Sequence, residues 1–313
     1  MAKKLLISVV VNTLNEEKNI SRCLSSVGNL ASEIVVVDMY SDDKTRQVAR
    51  SFGARVFLHE RLNYVEPARS FAINKARGKW IFLLDADEKI TSSLAKKLKQ
   101  IAQGDRGEAD YVLIPRKNII FGKWIQNSRW WPDYLPRFFK KGKIDWPNQI
   151  HQQPELKGNI LTLPDVEKFA IVHYNYDSLD QYLTRAVRYA QVQADQLVRE
   201  KKYKLSSADL VLKPMGEFLS RFFVGGGYKD GLHGLGLAVL QSFSEALIYL
   251  KVWEKNRYEE KSLENRKIKE IFSQAVLEVD YWYSRWWTER AKGIRRTVLE
   301  IILKIKTSLL KLF

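Results

Sequence analysis

The sequence predicts an α/β chain: a mostly parallel central sheet with helices on both faces, followed by a helical, amphipathic C-terminal region. Three observations carry this. Within the first hundred residues, short apolar runs rich in valine and isoleucine alternate with segments of helical spacing. Those runs are continuous rather than alternating, as strands covered on both faces are. From residue 178 onward the spacing is helical almost throughout.

In order, "LLISVVV" (5–11) reads as a buried strand and "EEKNISRCLSSV" (16–27) as a helix. "EIVVVD" (33–38) is a second strand, followed by a helix over "DKTRQVARSFG" that closes on Gly53. "ARVFLH" (54–59) is a third strand, "EPARSFAINKARG" (66–78) a third helix and "WIFLLD" (80–85) a fourth strand. "TSSLAKKLKQIAQG" (91–104) has a capping threonine and a glycine stop. Past residue 105 the strands become short and aromatic ("DYVLIP", "YLPRFF", "FAIVHYNY"), with prolines at 115, 132, 136, 147, 154 and 164. That texture suits an antiparallel extension. In "SLDQYLTRAVRYAQVQADQLVREKK" (178–202), Ser178 and Gln181 form a capping box.

Composition bounds the possible functions. The 313 residues carry 52 basic and 36 acidic side chains, a net charge of +16, which favours polyanionic partners without choosing among them. One cysteine, Cys23, excludes an internal disulfide framework and fits a reducing compartment. The apolar run after "MAKK" ends at Asn12 without a cleavage pattern, so it reads as a strand rather than a leader. The apolar window 231–253 contains His233, Gln241 and Glu245, which argues against a membrane span.

In an open parallel sheet, ligands bind beyond the carboxyl ends of the strands. There the sequence places "NTLNEE" (12–17), "DMYSDD" (38–43) and "DADE" (85–88). Acidic strand ends brought to one edge repel unless a cation joins them. Asp85 and Asp87, with only oxygen ligands nearby, suit Mg²⁺ or Mn²⁺, whose open positions diphosphate oxygens would fill. Any one of these clusters alone reads as helix caps and solvated turns; their succession is the signal. No G-x-G-x-x-G or G-x-x-x-x-G-K-[ST] occurs, so the usual phosphate cradles are missing.

"SVVVNTLNEEKNISRCLSSV", "EIVVVDMYSDDKT" and "PARSFAINKARGKWIFLLDADE" together resemble the nucleotide-sugar domain of the family 2 glycosyltransferases, which have the Rossmann-like GT-A fold. Later stretches, among them "WWPDYLPRFFKKGKIDW" and "VHYNYDSLDQYLTRAVRYA", resemble the bacterial subgroup of lipopolysaccharide-core β-1,4-glucosyltransferases, carrying the resemblance to about residue 255. The resemblance implies a GT-A catalytic domain over 1–177 and a helical extension on the acceptor side over 178–255; the basic, aromatic, amphipathic tail over 256–313 lies outside it. It places Thr13, Asn15 and Glu16 at the nucleoside, and Asp38 at the base or ribose with Asp43 in the turn after it. Arg69 then faces the diphosphate, with Asp85 nearer the ribose and Asp87 nearer the metal. It further implies an inverting, single-displacement transfer of a hexose from a UDP-sugar to a cell-envelope glycan or lipid-linked acceptor.

Two departures stand out. Met39 and Tyr40 replace the usual small residues after Asp38, and Gln152 follows His151 where the subgroup carries glutamate. Asp133 in "WWPDY" is therefore the candidate base, with Glu155 the second choice. His151 and His173 are metal or acceptor contacts, or hydrogen-bonded structural residues. "GGGYKDGLHG" (225–234) is an acceptor or lipid-phosphate site, or a flexible connection.

In the tail, "YWYSRWW" (281–287) precedes a stripe of Ile294, Val298, Ile301, Ile302, Ile305, Leu309 and Leu312. A basic amphipathic helix beside Trp and Tyr has the composition of an interfacial anchor, which predicts a cytoplasmic enzyme peripheral to the inner face of the cell membrane. The bland alternative is a helix packed on the catalytic domain. Rival functions fare worse. A nucleotidyltransferase wants a glycine-rich first loop, and a nucleic-acid binder wants its cations at the cleft rather than in the tail, so no nucleic acid is expected. An inactive scaffold of the same fold is the remaining alternative.

Overall fold

The computed structural model describes residues 6–61, 66–104, 109–146, 154–199, 203–260 and 262–310. His151, Gln152 and Leu312 lie outside the described residues, as does the side chain of Leu309. The chain forms two units: residues 1–124 with 130–175, and residues 125–129 with 176–313.

The first unit opens with the expected alternation: β1 (Ile7–Thr13), α1 (Ile20–Val27), β2 (Glu33–Asp38), α2 (Thr45–Ser51), β3 (Arg55–Leu58), α3 (Glu66–Lys75) and β4 (Trp80–Asp85). There follow β5 (Glu88–Ile90), α4 (Ser92–Gln103), β6 (Tyr111–Ile114), β7 (Arg116–Ile120), β8 (Lys123–Trp124), β9 (Leu135–Lys140), β10 (Ile144–Asp145), β11 (Glu155–Leu156), β12 (Ile160–Thr162) and β13 (Ile171–Tyr176). The main sheet runs β12-β6-β9-β4-β1-β2-β3. β1 pairs in parallel with both β2 and β4, and β2 with β3, whereas β9 is antiparallel to β4 and β6. The chain moves outward from β1 to β3 and then returns to β4 on β1's other side. The carboxyl ends of β1 and β4 therefore flank the point where the strand order reverses, which is where such sheets bind ligands.

Alternation along the central strands divides the core between the two faces. Val9, Val11, Phe82 and Leu84 pack with Ile20, Leu24 and Val27 of α1 and Leu94, Leu98 and Ile101 of α4. Val10, Val35, Val37, Ile81 and Leu83 pack with Ala68 and Ala72 of α3 and with Ala76 just past its end, whose small side chains at four-residue spacing let the helix approach closely. Burying one of these valine, leucine or isoleucine side chains contributes roughly 1.5–3 kcal/mol. α4 has the predicted ends: Thr91 Oγ accepts from Leu94 N at 3.0 Å, and Gly104 adopts φ 95°.

A second sheet, β5-β13-β7-β8, takes β13 from the expected "FAIVHYNY" strand, with antiparallel β5–β13 and β7–β8 pairs. Its other strands have no such signal: β7 and β8 carry polar residues, and β5 is the three residues directly after "DAD". β10 and β11 pair separately as a small ribbon.

The second unit contains α5 (Leu179–Arg199), α6 (Asp209–Leu219), α7 (Leu232–Lys255), α8 (Asn265–Thr288) and α9 (Gly293–Leu310). The capping box holds at the start of α5: Ser178 Oγ accepts from Gln181 N, and Gln181 Oε1 accepts from Asp177 N. α7 packs on α5 and α6. It is long and apolar enough to cross a membrane by length and composition. Its Gln241 is satisfied inside the unit, donating to Tyr182 Oη at 2.8 Å and accepting from Arg221. The 225–234 segment is close-packed rather than a flexible connection. A Cβ on Gly234 would stand 1.8 Å from the carbonyl oxygen of Gly227, and Asp230 accepts from the backbone N–H groups of Gln126 and Asn127.

Candidate active site

Strand register brings the predicted site residues together. Thr13 lies beside Asp38 and Asn12 beside Asp85, so three strand ends meet at one edge. Two of the loops at that edge are tied to each other. Asn15, held at φ 56°, donates its N–H to Ser41 Oγ, and its side-chain oxygen accepts from Asp42 N. Glu16 N donates to Thr45 Oγ1, and Asp43 accepts from Glu17 N and from both Thr45 N and Oγ1. Asp38 is fully buried; it accepts from Ser41 N and Oγ, and Arg46 lies 3.6 Å away. Asn15, Glu16, Asp38 and Asp43 thus fix the shape of this rim. Asn12 and Thr13 stand differently: the Asn12 amide and Thr13 Oγ1 are buried without a hydrogen-bond partner among the described residues. Buried polar groups are normally satisfied, and orphans mark strain or a missing ligand.

Tyr40 sits in the same rim with φ 57° and its ring exposed. A side chain in this left-handed region costs roughly 1–2 kcal/mol. Glycine relieves this strain but adds roughly 0.5–1 kcal/mol of unfolded-state freedom, so Tyr40→Gly is expected to raise stability by about 0.5–1 kcal/mol, visible as a thermal midpoint about 1–2 °C higher. A lower midpoint would mean that ring contacts outweigh the backbone strain.

The sequence expectation that only a bound cation could balance the acidic edge needs correction, because the chain supplies its own cations. Arg69 from α3 reaches Asp85 Oδ1 at 2.9 Å and Arg137 from β9 reaches Asp85 Oδ2 at 2.5 Å. Arg137 also contacts Glu88, and Arg116 bridges Glu88 to Asp133. Burial by itself would push the Asp85 carboxyl up, but Arg137 and then Arg69 overcome it and hold the group well below the usual carboxylate range. Both Asp85 oxygens are thereby engaged. Arg69 Nε and Arg137 Nε and Nη1 remain buried without a hydrogen-bond partner among the described residues.

Asp87 faces a different group. His173 on β13 places Nε2 3.4 Å from Asp87 Oδ2, while its Nδ1 lies 2.8 Å from Asn118 Oδ1. Asn118 Nδ2 donates to Trp130 O and Asp133 Oδ2, so its Oδ1 is an acceptor and His173 Nδ1 must carry the proton. With Nδ1 engaged by Asn118, His173 turns Nε2 toward the Asp87 carboxylate, and the two groups share one small space at the strand end. The expectation of an oxygen-only environment is thus corrected to one carboxylate and one imidazole, a set that fits Mn²⁺ better than Mg²⁺. Among the described residues there is no group of three or more potential metal-binding side chains, so most coordination positions would fall to ligand or water.

Asp133 precedes β9, on the far side of Asn118 from His173. Arg116 Nε and Nη2 and Asn118 Nδ2 all converge on its Oδ2, at 2.8, 2.6 and 3.1 Å, while Oδ1 accepts no hydrogen bond among the described residues. Glu155, the second choice for base, is exposed on β11 with Lys157 3.6 Å away. Sequence reasoning missed Arg116, Asn118 and Arg137. They lie on strands whose pairing is set by tertiary contacts, and no motif marks them.

A mostly parallel sheet with Asp85 and Asp87 at the point of strand reversal agrees with the GT-A fold that the sequence implied. Residues 8–155 match the Glycosyl transferase family 2 model. That segment is a family 2 glycosyltransferase domain, and the chain is a glycosyltransferase. An uncharacterized glycosyltransferase of Rickettsia typhi is 28% identical over 258 residues, spanning 79% of this chain and 87% of that protein. The lipopolysaccharide core biosynthesis glycosyltransferase LpsC of Rhizobium meliloti is 25% identical over 265 residues, spanning 82% and 95%. Among solved structures, S. aureus TarS 1–349 in complex with UDP-GlcNAc aligns with a TM-score of 0.44 and 19% identity, over 84% of this chain and 94% of that one.

Proposed function

We propose that this enzyme transfers a hexose with inversion from a UDP-sugar to a saccharide acceptor of the cell envelope, with a divalent cation at Asp87 and His173. The observation that carries the reading is the Asp87–His173 pair at a strand end whose neighbour, Asp85, is already neutralised by Arg69 and Arg137. A cation held there would neutralise charge on the departing diphosphate. The unpartnered groups of Asn12, Thr13, Arg69 and Arg137 line the same edge and suit a ligand rich in acceptors.

Asp133 is assigned as the base. Arg116 and Asn118 fix one of its oxygens and leave Oδ1 to take the proton of the acceptor hydroxyl. As that proton leaves, the hydroxyl oxygen bonds to the anomeric carbon, the carbon–oxygen bond to the diphosphate breaks, and the electron pair departs with UDP. An envelope acceptor of the lipopolysaccharide-core type is supported by similarity to LpsC along most of both chains.

Calorimetric titration of UDP, GDP and ADP, with and without Mn²⁺, tests the donor site. Mn²⁺-dependent binding of UDP is the expected result. A folded protein that binds none of the three in the presence of Mn²⁺ would overturn the reading.

A further inference from the structure

The helical unit leaves its apolar stripes uncovered. On α8, Ile268, Phe272, Val276, Val279, Tyr283 and Trp287 recur at three- and four-residue spacing, and all are exposed. On α9, Ile294, Val298, Ile301, Ile302 and Ile305 form a second exposed stripe. α9 packs on α8, yet this packing leaves the apolar side of both helices in solvent. Exposed apolar stripes on two helices packed together mark an interaction site.

Charge and aromatic placement identify the partner. From Arg285 to Lys306 there are seven basic residues and two acidic ones. Arg290 stacks over Trp286 at 4.3 Å and Arg295 over Trp287 at 5.4 Å, so cations sit at the edge of the aromatic belt. Two copies joined face to face would bring these cations together, whereas an anionic bilayer complements them. Beside this belt, Tyr228, Lys229, Trp282, Arg285, Trp286 and Glu289 line a cavity with Gly225 and Gly226, and Arg285 pairs with the Glu289 carboxylate at 3.4 Å, which leaves Lys229 as the cation in excess. The indole N–H of Trp286 is sealed from solvent and has no acceptor among the described residues. Among the described residues Lys229 has no carboxylate within ion-pair distance. Two glycines, a cation and an unused N–H donor are what a phosphate group requires.

We propose that the α8–α9 face docks on an anionic lipid bilayer, with the Lys229–Arg285–Trp286 cavity taking a phosphate-bearing headgroup. The proposal stands apart from the donor site, because UDP binding can be measured on the same protein preparations.

The test is co-sedimentation of the full chain with vesicles of phosphatidylcholine alone and of equimolar phosphatidylcholine and phosphatidylglycerol. Binding is expected to the anionic vesicles only and to weaken in high salt, which shortens the Debye length. Ile301→Asp with Ile305→Asp, both at exposed positions, should abolish it with UDP binding unchanged. Arg295→Ala and Arg296→Ala should each weaken it about fivefold. Lys229→Ala with Arg285→Ala should weaken it more than that pair does, since those two cations touch the headgroup; an equal or smaller loss overturns headgroup capture. Absent or equal binding to the two vesicle types overturns the docking proposal. So does a dimer in solution that the two aspartates dissolve. Resistance to alkaline carbonate extraction would instead mean that α7 crosses the bilayer, and would also overturn it.

Discussion

Arg137→Met is expected to destabilise the catalytic unit by about 3–5 kcal/mol, the usual result of removing one partner from a buried ion network. Arg137 is buried between Asp85 and Glu88, and Glu88 is itself fully buried. Methionine fills part of the volume but leaves the network one cation short. Chemical denaturation of both proteins measures the loss, and a difference under about 1 kcal/mol would show that Arg69 and Arg116 suffice. The pH dependence has a definite sign. Asp85 is held below its unfolded value, so its stabilisation is complete above the ordinary carboxylate pKa of about 3.9 and is lost as pH falls through the lower folded value. The variant lacks much of that stabilisation, so its deficit should narrow as the pH drops below about 4.

Asp87→Asn is expected to separate chemistry from folding. The amide keeps the size of the carboxylate, and Asn118 still fixes His173 through Nδ1. Stability should change little. Mn²⁺-dependent UDP binding should disappear and transfer should fall by roughly 10²–10³-fold, the scale seen when one preorganised electrostatic group is lost. Asp85→Asn should behave differently, since it frees Arg69 and Arg137 and so destabilises the fold as well. Equal activity of Asp87→Asn and wild type across a Mn²⁺ titration would remove Asp87 from the donor site.

Both predictions turn on residues of unequal legibility. Asp85 and Asp87 stand out because a buried strand running straight into carboxylates is chemically unusual. Asp38 and Asp43 stand out for the same reason, yet their oxygens are engaged by Ser41, Arg46, Thr45 and Glu17 within the rim. An acidic residue at a strand end looks identical in sequence whether it meets a ligand or a neighbouring loop. His173 was visible as a histidine near a strand, but its partner was not: β13 pairs with β5 so that His173 opposes Glu88, a register with no local signature.

The sequence by itself determined the alternating α/β half, the carboxyl-end loops and the amphipathic helices. These rest on local signals, namely apolar periodicity, caps and turn residues, which neighbouring positions share along the chain. Only the tertiary structure decided which cation balances which carboxylate, that an imidazole stands beside Asp87, and that the stripes of α8 and α9 face outward. Each of these depends on groups distant in sequence, such as Asp85 and Arg137, 52 positions apart, meeting through strand pairing and helix packing. Electrostatic energy depends on distance in space, and the sequence records only distance along the chain.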